Sequence, residues 1–273
     1  MPDALIQDLL TLATRLATEA GDIARERFGH TRSQMKADAS LVTDADQAIQ
    51  ARILSTIAEC CPDHGVVAEE MISHPQVHAD RTTARYCWVI DPLDGTRNYA
   101  QGFPIFSTSI AVLDRGRPVV AVVAGHSLGQ LYTATIGTGA TLNGQPIQAH
   151  DPEVGRDLLL AIPTSKDPLA VYVAHAWTAQ RGFIVRNLGS TALHLAMVAS
   201  GALNGAFSKR CKIWDLAAGL LLVTEAGGCI TDATGRDLLP FSLTADSATD
   251  LPFLAAAPAT HERLLQTIRP AGS

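Results

Sequence analysis

The segment Trp88-Val89-Ile90-Asp91-Pro92-Leu93-Asp94-Gly95-Thr96 carries two carboxylates, three residues apart, from an apolar strand into a turn shaped by Pro92 and Gly95. Carboxylate and carbonyl oxygens are hard donors that suit Mg2+, which keeps several waters and shares its coordination with substrate phosphate. Asp91 and Asp94 would bridge or flank a metal pair, with the Leu93 carbonyl as a further oxygen. Backbone N–H groups of Gly95 and Thr96 would then meet a phosphate oxygen beside the metal. Asp-Pro and Asp-Gly are also ordinary turn formers, a reading that needs no metal. Far downstream, Trp214-Asp215-Leu216-Ala217-Ala218-Gly219 runs on to Glu225-Ala226-Gly227-Gly228. Asp215 there is either the N-cap of a helix or a third site carboxylate, at a helix end whose dipole favours anions. Glu69-Glu70 closes a short apolar strand, either at a site-bearing strand tip or as a solvated acidic pair. Thr43-Asp44-Ala45-Asp46 fits a capping box at a helix start, where Asp44 reads as a cap or surface residue.

Other catalytic groupings are disfavoured. The nine histidines include no HxH pair and one HxxxH spacing, His74 to His78, whose Pro75 disfavours the helix that would present both rings to a metal, which speaks against zinc. Ser107 lacks a GxSxG setting; Ser127 has one, Gly125-His126-Ser127-Leu128-Gly129, but between two expected strands and not at the strand-to-helix turn that the nucleophile motif needs. His194, between Leu193 and Leu195 on a helix, reads as a core or interface residue. Met197 reads as core, and Trp88 and Trp214 as packing beneath the aspartates. Five cysteines, with no paired CxxC, support neither a disulfide framework nor a metal knuckle and suit a reducing compartment.

The elements that must position these groups can be read from periodicity. Leu5, Leu9, Leu12, Leu16 and Ile23 mark an amphipathic helix over 4–28, with Gly29 as its stop, and Ile49, Ile53 and Ile57 mark a second over 43–59. Strands are expected at 66–68 and 86–90, and then a run of antiparallel strands at 105–113, 118–124 and 131–135. Asn143-Gly144 is a turn signal, and 140–155 reads as a loop between two halves, residues 1–140 and 141–273, of one compact unit. In the second half, strands at 158–162, 183–186, 203–207 and 253–257 alternate with helices near 168–180, 190–201, 215–226 and 259–268. The pattern is mixed α/β.

The 273 residues are 47% hydrophobic and 18% charged, with 21 Lys and Arg against 27 Asp and Glu, a formal net charge of −6. That composition disfavours a disordered chain and a nucleic-acid binder. The acidic start lacks a secretory signal, and no apolar run reaches the ~18 residues of a membrane span. A cytoplasmic protein with no membrane partner is expected.

Together the motifs resemble the inositol monophosphatase family, within the lithium-sensitive, Mg2+-dependent phosphatases. WVIDPLDGT matches the family's first signature and WDLAAG…EAGG its second. Between and around them Leu41 to Asp46, Glu69-Glu70, Asn98-Tyr99, Gly102-Phe103-Pro104, Leu142-Asn143-Gly144 and Asn187 to Thr191 match in order. The resemblance implies a layered αβαβα sandwich, a homodimer, and Mg2+-dependent hydrolysis of a small phosphorylated polyol by an activated water. It further implies that Glu69, Asp91, the Leu93 carbonyl, Asp94 and Asp215 hold two or three Mg2+, with Lys36 near the metal loop. By the same resemblance Thr96 and Glu69 position and deprotonate water, Asp46 accepts a hydrogen bond from Thr96, and Gly95 and Thr96 hold phosphate. Gly189, Ser190 and Thr191 line the alcohol side.

One position departs from the animal members, which carry a glutamate seven residues before the second-signature aspartate. Ser208 stands there, followed by Lys209, Arg210 and Lys212. Lys209 or Arg210 would meet a second anionic group on the substrate, or the loop is merely solvated. Histidinol phosphate, fructose 1,6-bisphosphate and 3′-phosphoadenosine 5′-phosphate therefore stand beside inositol monophosphate as substrates. A covalent phosphoaspartate route would want a DxD signature in place of DPLDGT. A metal-dependent regulatory or binding protein would tolerate degraded ligands, whereas all five are present.

Overall fold

The computed structural model describes residues 3–35, 41–70, 80, 82–153, 155–243 and 249–268. Lys36 lies outside them. In chain order they form α1 (Ala4–Arg27), β1 (Ser33–Met35), β2 (Leu41–Thr43), α2 (Asp44–Cys60), β3 (Gly65–Ala68), β4 (Tyr86–Asp94), α3 (Thr96–Ala100), β5 (Ser107–Asp114), β6 (Arg117–Gly125) and β7 (Gln130–Thr135). Then follow β8 (Ala140–Leu142), β9 (Gln145–Ile147), β10 (Leu158–Ala161), α4 (Pro168–Ala179), β11 (Phe183–Arg186), α5 (Thr191–Ala199), β12 (Gly205–Ser208), α6 (Ile213–Glu225), β13 (Cys229–Thr231), β14 (Phe253–Ala256) and α7 (Pro258–Thr267).

Strand alternation buries both faces of a seven-stranded sheet ordered β3-β4-β5-β6-β7-β8-β9. Trp88, Ile90, Ile110, Val112, Val120 and Val122 face α1 and α2, while Val89, Ala111, Leu113, Ala121 and Val123 face α5 and α6. A second sheet, ordered β11-β10-β12-β14-β13, repeats the pattern. Its Ala161, Ala206 and Ala255 meet α5 and α6, and its Leu160, Phe207 and Leu254 meet α4 and α7. The layers are helices, sheet, helices, sheet, helices, as expected.

Several local expectations change. The buried stripe of α1 is Ile6, Leu9, Ala13, Leu16, Ala17, Ala20 and Ala24, whereas Leu5 is 41% exposed. Small residues let this helix lie close across β5 and β6, so alanine as much as leucine marks its inner face. The first sheet is not wholly antiparallel, since β3 runs parallel to β4. The segment expected as a loop over 140–155 begins with a hairpin, β8–β9, whose Asn143 and Gly144 both take positive φ (50° and 76°). This hairpin extends the first sheet through β7. Short elements without a repeating apolar pattern, namely β1, β2, α3 and β13, are invisible to periodicity.

Candidate metal and phosphate site

A regular strand would send Asp91 and Asp94 to opposite faces, because side chains alternate with period two. β4 instead continues past Ile90 and bulges: Asp91 pairs with Ser109 and Asp94 with Ser107, so Pro92 and Leu93 together oppose Thr108. The extra residue restores the alternation and puts both carboxylates on one face. The bulge is pinned twice. Leu93 N–H donates to Asp91 Oδ1 at 2.9 Å, and the Thr108 hydroxyl donates to the Pro92 carbonyl at 2.8 Å. Thr108 is held in turn by His126 Nε2 at 2.8 Å, which packs beneath Gly21 of α1.

The third carboxylate arrives from the other half. α6 begins at Ile213, two residues before Asp215, so Asp215 sits in its first turn and is not the N-cap; it accepts the Lys212 N–H at 3.0 Å. Carboxylate oxygens of Asp91, Asp94 and Asp215 all lie within 4.8 Å of one another. Burial, with the neighbouring charges of Glu69, Asp94 and Asp215, pushes the Asp91 carboxyl well above its ordinary value. Burial and Asp215 push Asp94 up to about 8, against hydrogen bonds from Ser190 and Ala192 that favour its charged form. Burial likewise raises Asp215 to about 6. Three crowded, desolvated carboxylates with an all-oxygen donor set fit a hard divalent cation, which would remove the repulsion that raises them. Glu69 stands outside this trio, but its charge acts on all three and it lines the adjoining cleft.

That cleft, about 410 Å3, is lined by Glu69, Gly95, Thr96, Arg97, Asn98, Thr164, Asn187, Gly189 and Thr191, among others. The Thr96 hydroxyl reaches Asp46 Oδ1 at 3.2 Å and the Leu93 carbonyl at 3.0 Å. Asp46 is fully buried, and its capping box is present: Thr43 N–H donates to Asp46 Oδ2 at 2.8 Å, joined by the Thr43 hydroxyl. Burial raises Asp46 to about 6. Asp44 is a surface residue, paired with Arg27 at 3.6 Å.

Ser190 is buried, and its hydroxyl donates to Asp94 Oδ2 at 2.6 Å; Ala192 N–H donates to the same oxygen at 2.7 Å. The 187–192 segment therefore both walls the cleft and braces a site carboxylate. Ser208, Lys209 and Arg210 stand apart from the trio. Ser208 is buried with its hydroxyl on the Arg210 carbonyl at 3.0 Å, and Ser208 and Arg210 line a separate hollow of about 310 Å3 with Thr164 and Lys166. Arg210 is tied to Asp250 at 3.1 Å, which Lys212 also reaches at 2.9 Å.

Sequence reading passed over Thr108 and Ser109, and gave Asn98 a motif match but no role. Ser109 donates to the Trp214 carbonyl at 3.1 Å, and Asn98 Nδ2 donates to the carbonyls of Ile105 and Leu188, each at 2.7 Å. The available signal was polar: Ser107-Thr108-Ser109 opens an otherwise apolar strand.

The model of the inositol monophosphatase family matches residues 5–273. Nus factor SuhB of Salmonella typhimurium is 38% identical over 237 residues, covering 83% of this chain and 86% of that protein. Inositol monophosphatase 1 of Bos taurus is 30% identical over 247 residues, 87% of each. The crystal structure of extragenic suppressor protein suhB from Bartonella henselae superposes with a TM-score of 0.85 at 26% identity, covering 97% of this chain and 99% of that one. No described helix is long and apolar enough to cross a membrane. With its family model matched from Leu5 to the last residue and its layered fold shared, the chain belongs to the inositol monophosphatase family.

Proposed function

We propose that the protein is a Mg2+-dependent phosphomonoesterase acting on a small phosphorylated polyol such as inositol monophosphate. The observation that carries this reading is the convergence of Asp91, Asp94 and Asp215 within 4.8 Å, beside the cleft lined by Glu69, Gly95 and Thr96. Asp91, Asp94, Asp215, Glu69 and the Leu93 carbonyl would hold two to three Mg2+. A hard divalent cation supplies a more acidic water and neutralises charge on the departing alcohol oxygen. The chain supplies the rest. Gly95 and Thr96 N–H groups orient the phosphate, Gly189 and Thr191 form the wall against which the alcohol packs, and Ser190, buried behind that wall, braces Asp94. Thr96 is too weak a base to act alone. Its hydroxyl, hydrogen-bonded to Asp46, orients the attacking water, and Glu69 takes the proton. Residues 1–140 and 141–273 act as one catalytic unit, because Asp215 completes a site begun by Asp91 and Asp94.

Histidinol phosphate, fructose 1,6-bisphosphate and 3′-phosphoadenosine 5′-phosphate are the alternative substrates, with Ser208, Lys209 and Arg210, beside the neighbouring hollow that shares Thr164 with the cleft, reading the difference. A cytoplasmic homodimer is the assembly this reading carries. Phosphate release from a panel of these esters, with Mg2+ and with chelator, tests it: we expect Mg2+-dependent release, strongest on one small ester. Release from none would overturn the enzymatic reading. A second reading then takes over, suggested by relatives named Nus factor SuhB: a binding or regulatory protein that keeps the metal scaffold and acts through a macromolecular partner.

A further inference from the structure

His194 is almost wholly buried on α5, yet its ring is not idle. Its Nε2 accepts the Leu188 N–H at 3.0 Å, which places the proton of the neutral ring on Nδ1. Burial keeps the ring neutral, lowering its pKa to about 4. The Leu188 carbonyl is held from the opposite side by Asn98 Nδ2 at 2.7 Å, and the same amide reaches the Ile105 carbonyl at 2.7 Å. The next residue, Gly189, takes φ +76°, and a Cβ there would come within 2.6 Å of Asn98 Nδ2. Leu188 is thus gripped through its two consecutive peptide groups, its N–H from α5 and its carbonyl from α3, in the other half of the chain. The residues that flank it, Asn187 and Gly189, line the cleft together with Gly95 and Thr96.

We infer that His194 and Asn98 are positioning residues, a clamp on Leu188 that fixes the 187–189 wall where the alcohol part of a phosphate ester packs. The inference rests on the phosphatase reading for its substrate, though not for the clamp itself. The clamp is separate from the brace on the metal carboxylate, because Asp94 is held by Ser190 and Ala192 at the start of α5. Releasing Leu188 therefore loosens the wall and leaves the carboxylates in place.

The test compares the wild type with His194→Leu, which removes the acceptor at similar size, His194→Gln, which keeps one, and Asn98→Ala, which frees the carbonyl. KM and kcat are measured on inositol 1-phosphate, a ring-bearing ester, and on glycerol 2-phosphate, a minimal one, with the Mg2+ concentration for half-maximal activity and NMR hydrogen exchange of the Leu188 amide. For His194→Leu we expect about a tenfold rise in KM for the ring ester, the worth of one lost ordering hydrogen bond. KM for the minimal ester and the Mg2+ requirement stay within about twofold, and Leu188 exchanges at least about tenfold faster. Asn98→Ala gives the same KM pattern, and His194→Gln restores both exchange and KM. Equal losses on both esters, in proportion to lost folded protein, would reduce His194 to a structural role and overturn the inference. So would unchanged Leu188 exchange in His194→Leu. If the wild type hydrolyses neither ester, the polyol-phosphate reading fails while hydrogen exchange still decides the clamp.

Discussion

Replacing Asp94 with Asn separates metal binding from stability. In the folded, metal-free protein Asp94 is pushed from 3.8 to about 8 by burial and by Asp215. A folded-state pKa above the unfolded one means that the stability this group contributes is complete below pH 3.8 and is lost as pH rises towards 8. At pH 7 the unfolded carboxyl has released its proton and the folded one has kept it, a penalty of roughly three pH units, or ~4 kcal/mol. At pH 5 the same gap is about one unit, ~2 kcal/mol. Asparagine carries no charge, and its carbonyl oxygen can still accept from the Ser190 hydroxyl and Ala192 N–H. Without metal the variant should therefore melt higher than wild type at pH 7, by roughly 8 °C at about 2 °C per kcal/mol, and by about half that at pH 5. Mg2+ should raise the wild-type Tm with concentration, as a ligand of the native state does, and leave the variant unmoved. Differential scanning calorimetry with chelator and with Mg2+, at both pH values, makes the four comparisons. A variant that melts below wild type at pH 7 without metal, or that gains as much from Mg2+, would refute the crowded-carboxylate account.

Four further outcomes follow from the same geometry. Mg2+ affinity should rise between pH 5 and pH 8 as Asp215 (about 6) and Asp94 (about 8) give up protons; calorimetry in buffers of different ionisation enthalpy should detect proton release on binding. Asp91→Asn should lose metal binding and phosphatase activity with circular dichroism unchanged, and full activity would sink the assignment. Thr108→Val removes the hydroxyl that pins Pro92, and should weaken Mg2+ binding about tenfold, a lost hydrogen bond's worth, with a smaller effect on KM. His126 is buried and lowered from 6.5 to about 4. A depressed folded pKa means its stability is complete above pH 6.5 and lost as pH falls towards 4, so His126→Gln should flatten the acid limb of stability by up to ~3 kcal/mol in urea titrations.

The elements were legible because burial imposes a period, whereas their stacking into layers was implied by the family resemblance. Ile49, Ile53 and Ile57 marked α2, and the apolar runs of β4, β5 and β6 marked strands, which the structure covers on both faces. The inner face of α1 was read only in part: Leu9, Leu12, Leu16 and Ile23 do face the core, but a Leu-based stripe overlooks the small residues that close approach to a sheet requires. The identity of the site carboxylates was legible for a different reason: the chemistry needs particular groups, and Asp91, Asp94 and Asp215 stand out as acids at apolar strand and helix ends. Their juxtaposition was implied by the family resemblance and not by spacing. Three-residue spacing in a strand predicts opposite faces, and only the register of β4 against Ser109 and Ser107 shows that Pro92 and Leu93 share one partner.

That bulge also accounts for the otherwise unexplained polar start of β5. Ser107, Thr108 and Ser109 are all fully buried, where an apolar strand would pack better. Each hydroxyl goes to a different wall of the site: Ser107 to Ser190, Thr108 to Pro92, and Ser109 to Trp214. Three consecutive residues on one strand thereby hold the substrate wall, the metal loop and the helix that brings Asp215. Buried hydroxyls are tolerated only when bonded, so each fixes its partner's position as the condition of its own burial. The two halves meet at the carboxylates because β5 is bonded to both. A single apolar replacement there should cost metal affinity well before it costs the fold, and Thr108→Val is the variant that shows it.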